Sequence, residues 1–79
     1  MARLRKDAFK KTTKERNSIH GTVSATYIVF EAEGKTFFQI DTYGSSKREI
    51  PGKTSQSLQL DRQMAEVLIS ELQKAFHLS

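Results

Sequence analysis

Val23-Ser24-Ala25-Thr26-Tyr27-Ile28-Val29-Phe30-Glu31-Ala32-Glu33-Gly34-Lys35-Thr36-Phe37-Phe38-Gln39-Ile40-Asp41-Thr42-Tyr43 is the stretch on which the fold turns. Its first part is β-branched and aromatic. Val23, Ala25, Tyr27 and Val29 fall on one face of an extended chain, and Ile28, Phe30 and Ala32 on the other. Apolar residues on both faces predict a strand at least half-buried on each side. Glu33-Gly34-Lys35 supplies a tight turn, and Thr36 to Tyr43 resumes as a second strand, so the whole reads as a β-hairpin. In the second strand Phe38 and Ile40 point one way. Phe37, Gln39, Asp41 and Tyr43 point the other, which sets two aromatic rings on an otherwise polar face.

Downstream, Gly44-Ser45-Ser46-Lys47-Arg48 is a polar, basic turn, Glu49-Ile50 is long enough only for a short strand, and Pro51-Gly52 is a second turn signal. Ser55 to Leu60 alternates again, with Leu58 and Leu60 expected inward and Ser57 and Gln59 outward. Asp61 follows with the short carboxylate favoured at a helix N-cap. Met64, Ala65, Leu68, Ile69, Leu72, Ala75 and Phe76 then recur at spacings of three and four, the signature of an amphipathic helix with Glu66, Ser70, Gln73 and Lys74 opposite. Val67 and Leu78 widen that apolar surface beyond the needs of one small sheet. The expected architecture is α+β: a three to four stranded antiparallel sheet followed by one C-terminal helix.

The 79 residues suit one domain with a thin core. Such a core commonly needs a disulfide, a metal or a second subunit, and the chain has no cysteine and only two histidines, neither grouped with metal-ligating partners. A homodimer through the C-terminal helix is therefore expected, and no cofactor or metal. The first seventeen residues hold Arg3, Arg5, Lys6, Lys10, Lys11, Lys14 and Arg16 against Asp7 and Glu15, a surplus of five positive charges. The remainder holds six basic and seven acidic residues. Residues 1–17 thus read as a basic flexible tail and 18–79 as the folded domain. A polycation of this kind neutralises phosphates and releases counterions, giving salt-sensitive affinity for nucleic acid. It also suits a solvated segment that only keeps the chain soluble. Leu4, Ala8 and Phe9 make a poor apolar stripe for a membrane surface, and no run has the length of a signal peptide or membrane helix. A cytoplasmic location is expected, at the nucleoid if the source is bacterial.

Catalytic patterns are incomplete. Gly52-Lys53-Thr54 resembles the end of a phosphate-binding P-loop, but position 47 is Lys where the first glycine is required, and a strand follows instead of a helix. Glu33-Gly34-Lys35 matches half of a metal-dependent nuclease core without its upstream aspartate. Asp41 next to a basic loop is expected to pair with Lys53 or Arg48. No nucleophile-base set is present, so no enzyme activity is expected. Gly-Lys-Thr occurs twice, at 34–36 and 52–54, each time ahead of a Gln-aliphatic-Asp run (Gln39-Ile40-Asp41 and Gln59-Leu60-Asp61), an echo of two turn-strand units.

The order strand, strand, basic loop, strand, helix, with Gly34-Lys35 opening one strand and Pro51-Gly52-Lys53 leading to Ser57-Leu58-Gln59-Leu60-Asp61, resembles the single-stranded-DNA-binding coactivators called positive cofactor four. The resemblance covers roughly residues 27–76. It implies a four-stranded curved antiparallel sheet backed by a helix, a homodimer, and basic and aromatic side chains holding single-stranded DNA along the sheet. By position it reaches Lys35, Phe37, Lys53 and Ser57. Asp41 on the implied binding face and the absence of Trp depart from the pattern. The residues themselves point the same way, since bases stack on exposed rings while Lys and Arg follow the phosphates. The candidate nucleic-acid-binding residues are Arg3, Arg5, Lys6, Lys10, Lys11, Lys14, Arg16, Lys35, Phe37, Tyr43, Lys47, Arg48 and Lys53, with single-stranded DNA or RNA as partner and transcription or DNA metabolism as the setting. The competing class is a dimeric adaptor or regulator whose tail and sheet edge take a protein partner.

Overall fold

The computed structural model describes residues 1–44 and 54–78. The chain forms β1 (Ala2–Leu4), a single 3-10 turn (Lys6–Ala8), β2 (Ala25–Ala32), β3 (Lys35–Tyr43), β4 (Thr54–Leu60) and α1 (Arg62–Phe76). The strands make one sheet in the order β1-β4-β3-β2. The sheet followed by one C-terminal helix is the α+β arrangement expected from the residue pattern. Lys47, Arg48 and Lys53, and the short strand expected at Glu49-Ile50, lie outside the described residues.

The β2–β3 hairpin is pinned by its turn. Glu33 and Gly34 have φ of 54° and 75°, the pair of positive values that a two-residue turn needs to match the twist of its strands. That turn sets Ala32 opposite Lys35, and the register then runs without slip to Ala25 opposite Thr42. β3 continues against β4, also antiparallel, with Phe38 facing Leu60, Ile40 facing Leu58 and Asp41 facing Ser57, and a bulge at Thr42/Tyr43.

The sheet is mixed, not antiparallel throughout. Residues 2–4, assigned by their charge to a flexible tail, are an edge strand parallel to β4, with Ala2, Arg3 and Leu4 opposite Leu58, Gln59 and Leu60. Leu4 is half-buried on the face of Leu60, which rewards the pairing with apolar contact. Three residues are too few to show a period, so nothing in the pattern announces this strand.

Two further expectations are corrected. β2 is outermost in the sheet, and apart from Phe30 all of its residues are exposed, so neither of its faces is half-buried. On β4 it is Ser57 that is buried and Leu58 that is exposed, the reverse of the expected pattern. Ser57 is held inward by the carboxylate across from it, described below.

The helix starts as its sequence requires. Asp61 is extended, and its side chain accepts from the Met64 amide at 2.9 Å. At the other end His77 turns left-handed (φ 56°), and the Leu78 amide donates back to the Gln73 carbonyl at 2.9 Å, closing the last turn. Met64 is fully buried at the first turn and, with Leu60 and Phe37, makes up the buried apolar core among the described residues. Further along the stripe Ala65 and Leu68 are half-buried, whereas Ile69, Leu72 and Phe76 are exposed, Phe76 by 69%. The chain exposes 7487 Å², whereas a compact monomer of 9.0 kDa is expected to expose about 4900 Å². The radius of gyration is 14.9 Å against about 12 Å for a compact chain of this length. Part of the excess comes from the exposed run between the 3-10 turn and β2. Exposed side chains on β2 and on the second half of α1 add to it.

Candidate nucleic-acid interface

Residues directly opposite in a sheet share a face, so the registers sort every strand residue onto one side or the other. One face carries Phe38, Ile40, Leu58, Leu60, Tyr27 and Val29, with the Tyr27 and Phe38 rings stacked at 5.2 Å. The other carries Arg3 from β1, Gln59 and Ser57 from β4, Phe37, Gln39, Asp41 and Tyr43 from β3, and Thr26, Ile28 and Phe30 from β2. This second face combines aromatic rings, amides and a cation, and it is the candidate interface.

Its rings sit at two ends. Phe37 and Phe30, opposite each other across the hairpin, stack at 5.6 Å with an interplanar angle of 26°. The Arg3 guanidinium lies 5.8 Å from the centre of the Phe37 ring. Phe37 is only 7% exposed, so the ring expected to stack on a base is covered by its neighbours. Phe30, half-buried, is the more accessible of the pair. At the far end Tyr43 is half-buried and its hydroxyl shares a hydrogen bond of 2.8 Å with the Thr26 hydroxyl, which holds the ring against the sheet.

Between the rings runs a polar ladder. Gln39 Nε2 donates to both Asp41 carboxylate oxygens, at 3.0 and 3.2 Å, and the Ser57 hydroxyl donates to Oδ1 of the same group. Gln59 Nε2 donates across to Gln39 Oε1 at 2.7 Å. The expected pairing of Asp41 with Lys53 or Arg48 involves residues outside those described; among the described residues Asp41 is held by Ser57 and Gln39. Such bonds to a carboxylate are the stronger kind and fix the neighbouring amides in orientation. The two Gln-aliphatic-Asp echoes explain part of the ladder, because the register sets Gln39 against Gln59. Thr26, Phe30, Gln39 and Gln59 were not among the candidates. Their shared strand parity was readable, but the pairing of β4 with β3 was needed to bring them together.

The basic residues divide. Arg3 reaches the interface. Arg5 pairs with Asp7 at 3.4 Å in an exposed position, and Lys6 lies in the 3-10 turn. Lys10 and Lys11, with Phe9, line a groove against Val67, Leu72 and Ala75 of the helix. Lys14 and Arg16 are exposed, with the Lys14 carbonyl accepting from the Asn17 side chain at 3.0 Å. Lys35 is exposed where β3 leaves the turn. Among the described residues no helix is long and apolar enough to cross a membrane, and no three metal-ligating side chains cluster. Comparisons with protein-family models, with curated proteins and with solved structures return no match for this chain.

Proposed function

We propose that this chain binds single-stranded nucleic acid, DNA or RNA, on the face that carries Arg3, Phe30, Gln39, Gln59 and Tyr43, with the basic residues of positions 5–16 following the phosphates. The observation that carries this reading is β1: its pairing with β4 sets Arg3 among aromatic and amide side chains and starts the most basic segment of the chain from the edge of the sheet. Sequence-tolerant single-strand binding uses the same two ingredients, ring faces for the bases and cations for the backbone. The amide ladder adds groups able to meet base edges. Asp41 opposes phosphate but suits the exocyclic amines of bases, so the strand is expected to lie with its bases toward the ladder and its phosphates toward Arg3 and the segment after it. In this reading the protein is a homodimer that acts in the cytoplasm, at the nucleoid in a bacterium, in transcription or DNA metabolism.

The test is a titration of labelled oligonucleotides, single-stranded DNA, single-stranded RNA and duplex, across a salt series. Tyr43→Ala is expected to weaken single-strand binding by about 1 to 3 kcal/mol with the salt slope unchanged, because the ring acts through contact. Arg3→Ala is expected to weaken binding and reduce the slope by about one. Equal affinity of the parent and both variants, all folded, would refute the interface. A second reading, a dimeric adaptor that binds no nucleic acid, is favoured by the exposed helix positions Ile69, Leu72 and Phe76. It predicts no retention of any oligonucleotide at physiological salt.

A further inference from the structure

The free edge of β2 has the properties of a docking surface. Among the described residues β2 ends the sheet on one side, and it runs eight residues without a bulge, a proline or more than one charge, Glu31. Edges this long and regular are usually blunted by lysines, prolines or kinks, because their unpaired amides and carbonyls invite another strand.

The hairpin decides which groups are unpaired. A two-residue turn makes its flanking residues, Ala32 and Lys35, a hydrogen-bonded pair, and such pairs alternate along an antiparallel ladder. Phe30, Ile28 and Thr26 therefore bond inward to β3. The Tyr43 amide donating to the Ser24 carbonyl at 3.0 Å falls in the same alternation and confirms it. The amides and carbonyls of Ala25, Tyr27, Val29 and Glu31 consequently point out of the sheet.

We propose that this edge pairs with β2 of a second copy, antiparallel and registered about Ile28. In that register Ala25 meets Glu31 of the second copy and Tyr27 meets its Val29, so all four outward residues of each strand find partners. Any shift leaves some of them unpaired. The single charge is set opposite Ala25 and away from its own copy, which avoids like-charge opposition. Tyr27 and Val29, 71% and 57% exposed in one copy, become a directly opposed aromatic and β-branched pair on the apolar face. The two Ile28 side chains meet on the dyad. The result is one continuous eight-stranded sheet on which both copies of the candidate interface lie side by side. The proposal rests on the geometry of β2 and stands apart from the nucleic-acid reading. It is also separate from the helix stripe; two self-contacts on one chain give a tetramer or an open array, one gives a dimer.

Because the natural chain has no cysteine, single cysteines report directly. Opposed residues of a non-hydrogen-bonded pair lie about 4.5 Å apart at Cα, within the range a disulfide spans. Ile28→Cys is expected to form a covalent dimer rapidly under mild oxidation. Thr26→Cys, placed opposite Phe30 of the second copy, is expected to remain largely uncrosslinked. In the cysteine-free chain Val29→Lys is expected to halve the mass of the assembly in sedimentation at micromolar concentration, with the circular dichroism of the parent retained. Crosslinking of Ile28→Cys no faster than Thr26→Cys overturns the proposal. So does a Val29→Lys variant whose assembly matches the parent.

Discussion

The turn between β2 and β3 offers opposed effects at adjacent residues. Gly34 has φ of 75° and no atom within 4 Å of where a Cβ would stand, so Gly34→Ala introduces conformational strain without a clash. A left-handed backbone costs a residue bearing a Cβ roughly 1 to 2 kcal/mol, and the alanine is expected to lose about 1 kcal/mol of stability. Glu33 already bears that cost at φ 54°. Asn tolerates the left-handed region better than Glu, and Asn-Gly is the favoured pair in such turns, so Glu33→Asn is expected to gain about 0.5 kcal/mol. For a domain of this size 1 kcal/mol moves the thermal midpoint by roughly 4 to 8 °C. Urea unfolding followed by circular dichroism should place the three midpoints in the order Gly34→Ala, parent, Glu33→Asn with a common slope. A neutral Gly34→Ala, or a Glu33→Asn less stable than the parent, would show that the turn does not constrain the hairpin as described.

Met64→Ala, at a side chain with no exposure, is expected to cost about 2 to 4 kcal/mol in the same assay and to leave little folded protein at 37 °C. Ile69→Glu acts where the helix is exposed; it should keep the helical circular dichroism signal and reduce self-association at least tenfold in sedimentation, whereas loss of the helix would mean that Ile69 is packed within one copy. Deleting residues 2–16 removes β1 and uncovers Leu60 and Phe37, so a measurable loss of thermal stability is expected together with weaker, less salt-sensitive oligonucleotide binding. A deletion variant as stable as the parent would show that β1 contributes no packing.

What could be read in the residues was whatever had enough length to show a period. The 23–43 stretch declared its hairpin through alternation and a Glu-Gly turn, and the helix was marked by Asp61 and the Met64 to Phe76 stripe, all found in place. β1 was not legible: Ala2-Arg3-Leu4 has one apolar residue of any size, and its strand character is conferred by β4, a partner more than fifty positions away. Alternation also says which residues share a face but not which face is covered. Ser57 therefore reads as solvent-facing although Asp41 across from it holds it inward, and for Phe37 the pattern left base stacking and burial both open, which Arg3 and Phe30 against the ring decide for burial. The outermost position of β2 depends on strand order, which no local pattern in 25–32 encodes.

The pairing of Ala2–Leu4 with Leu58–Leu60 also sets a timetable. The hairpin closes over two residues and can form within microseconds, and the helix elongates locally on a similar or faster scale. β1 must wait for a loop of more than fifty residues to close, an entropic cost that local contacts do not carry. During synthesis β1 thus emerges well before it can find its partner, because β4 follows it by more than fifty residues. An extension ahead of β1 would hang from the strand that closes the longest loop of the sheet, and its effect should appear in refolding rate before it appears in equilibrium stability.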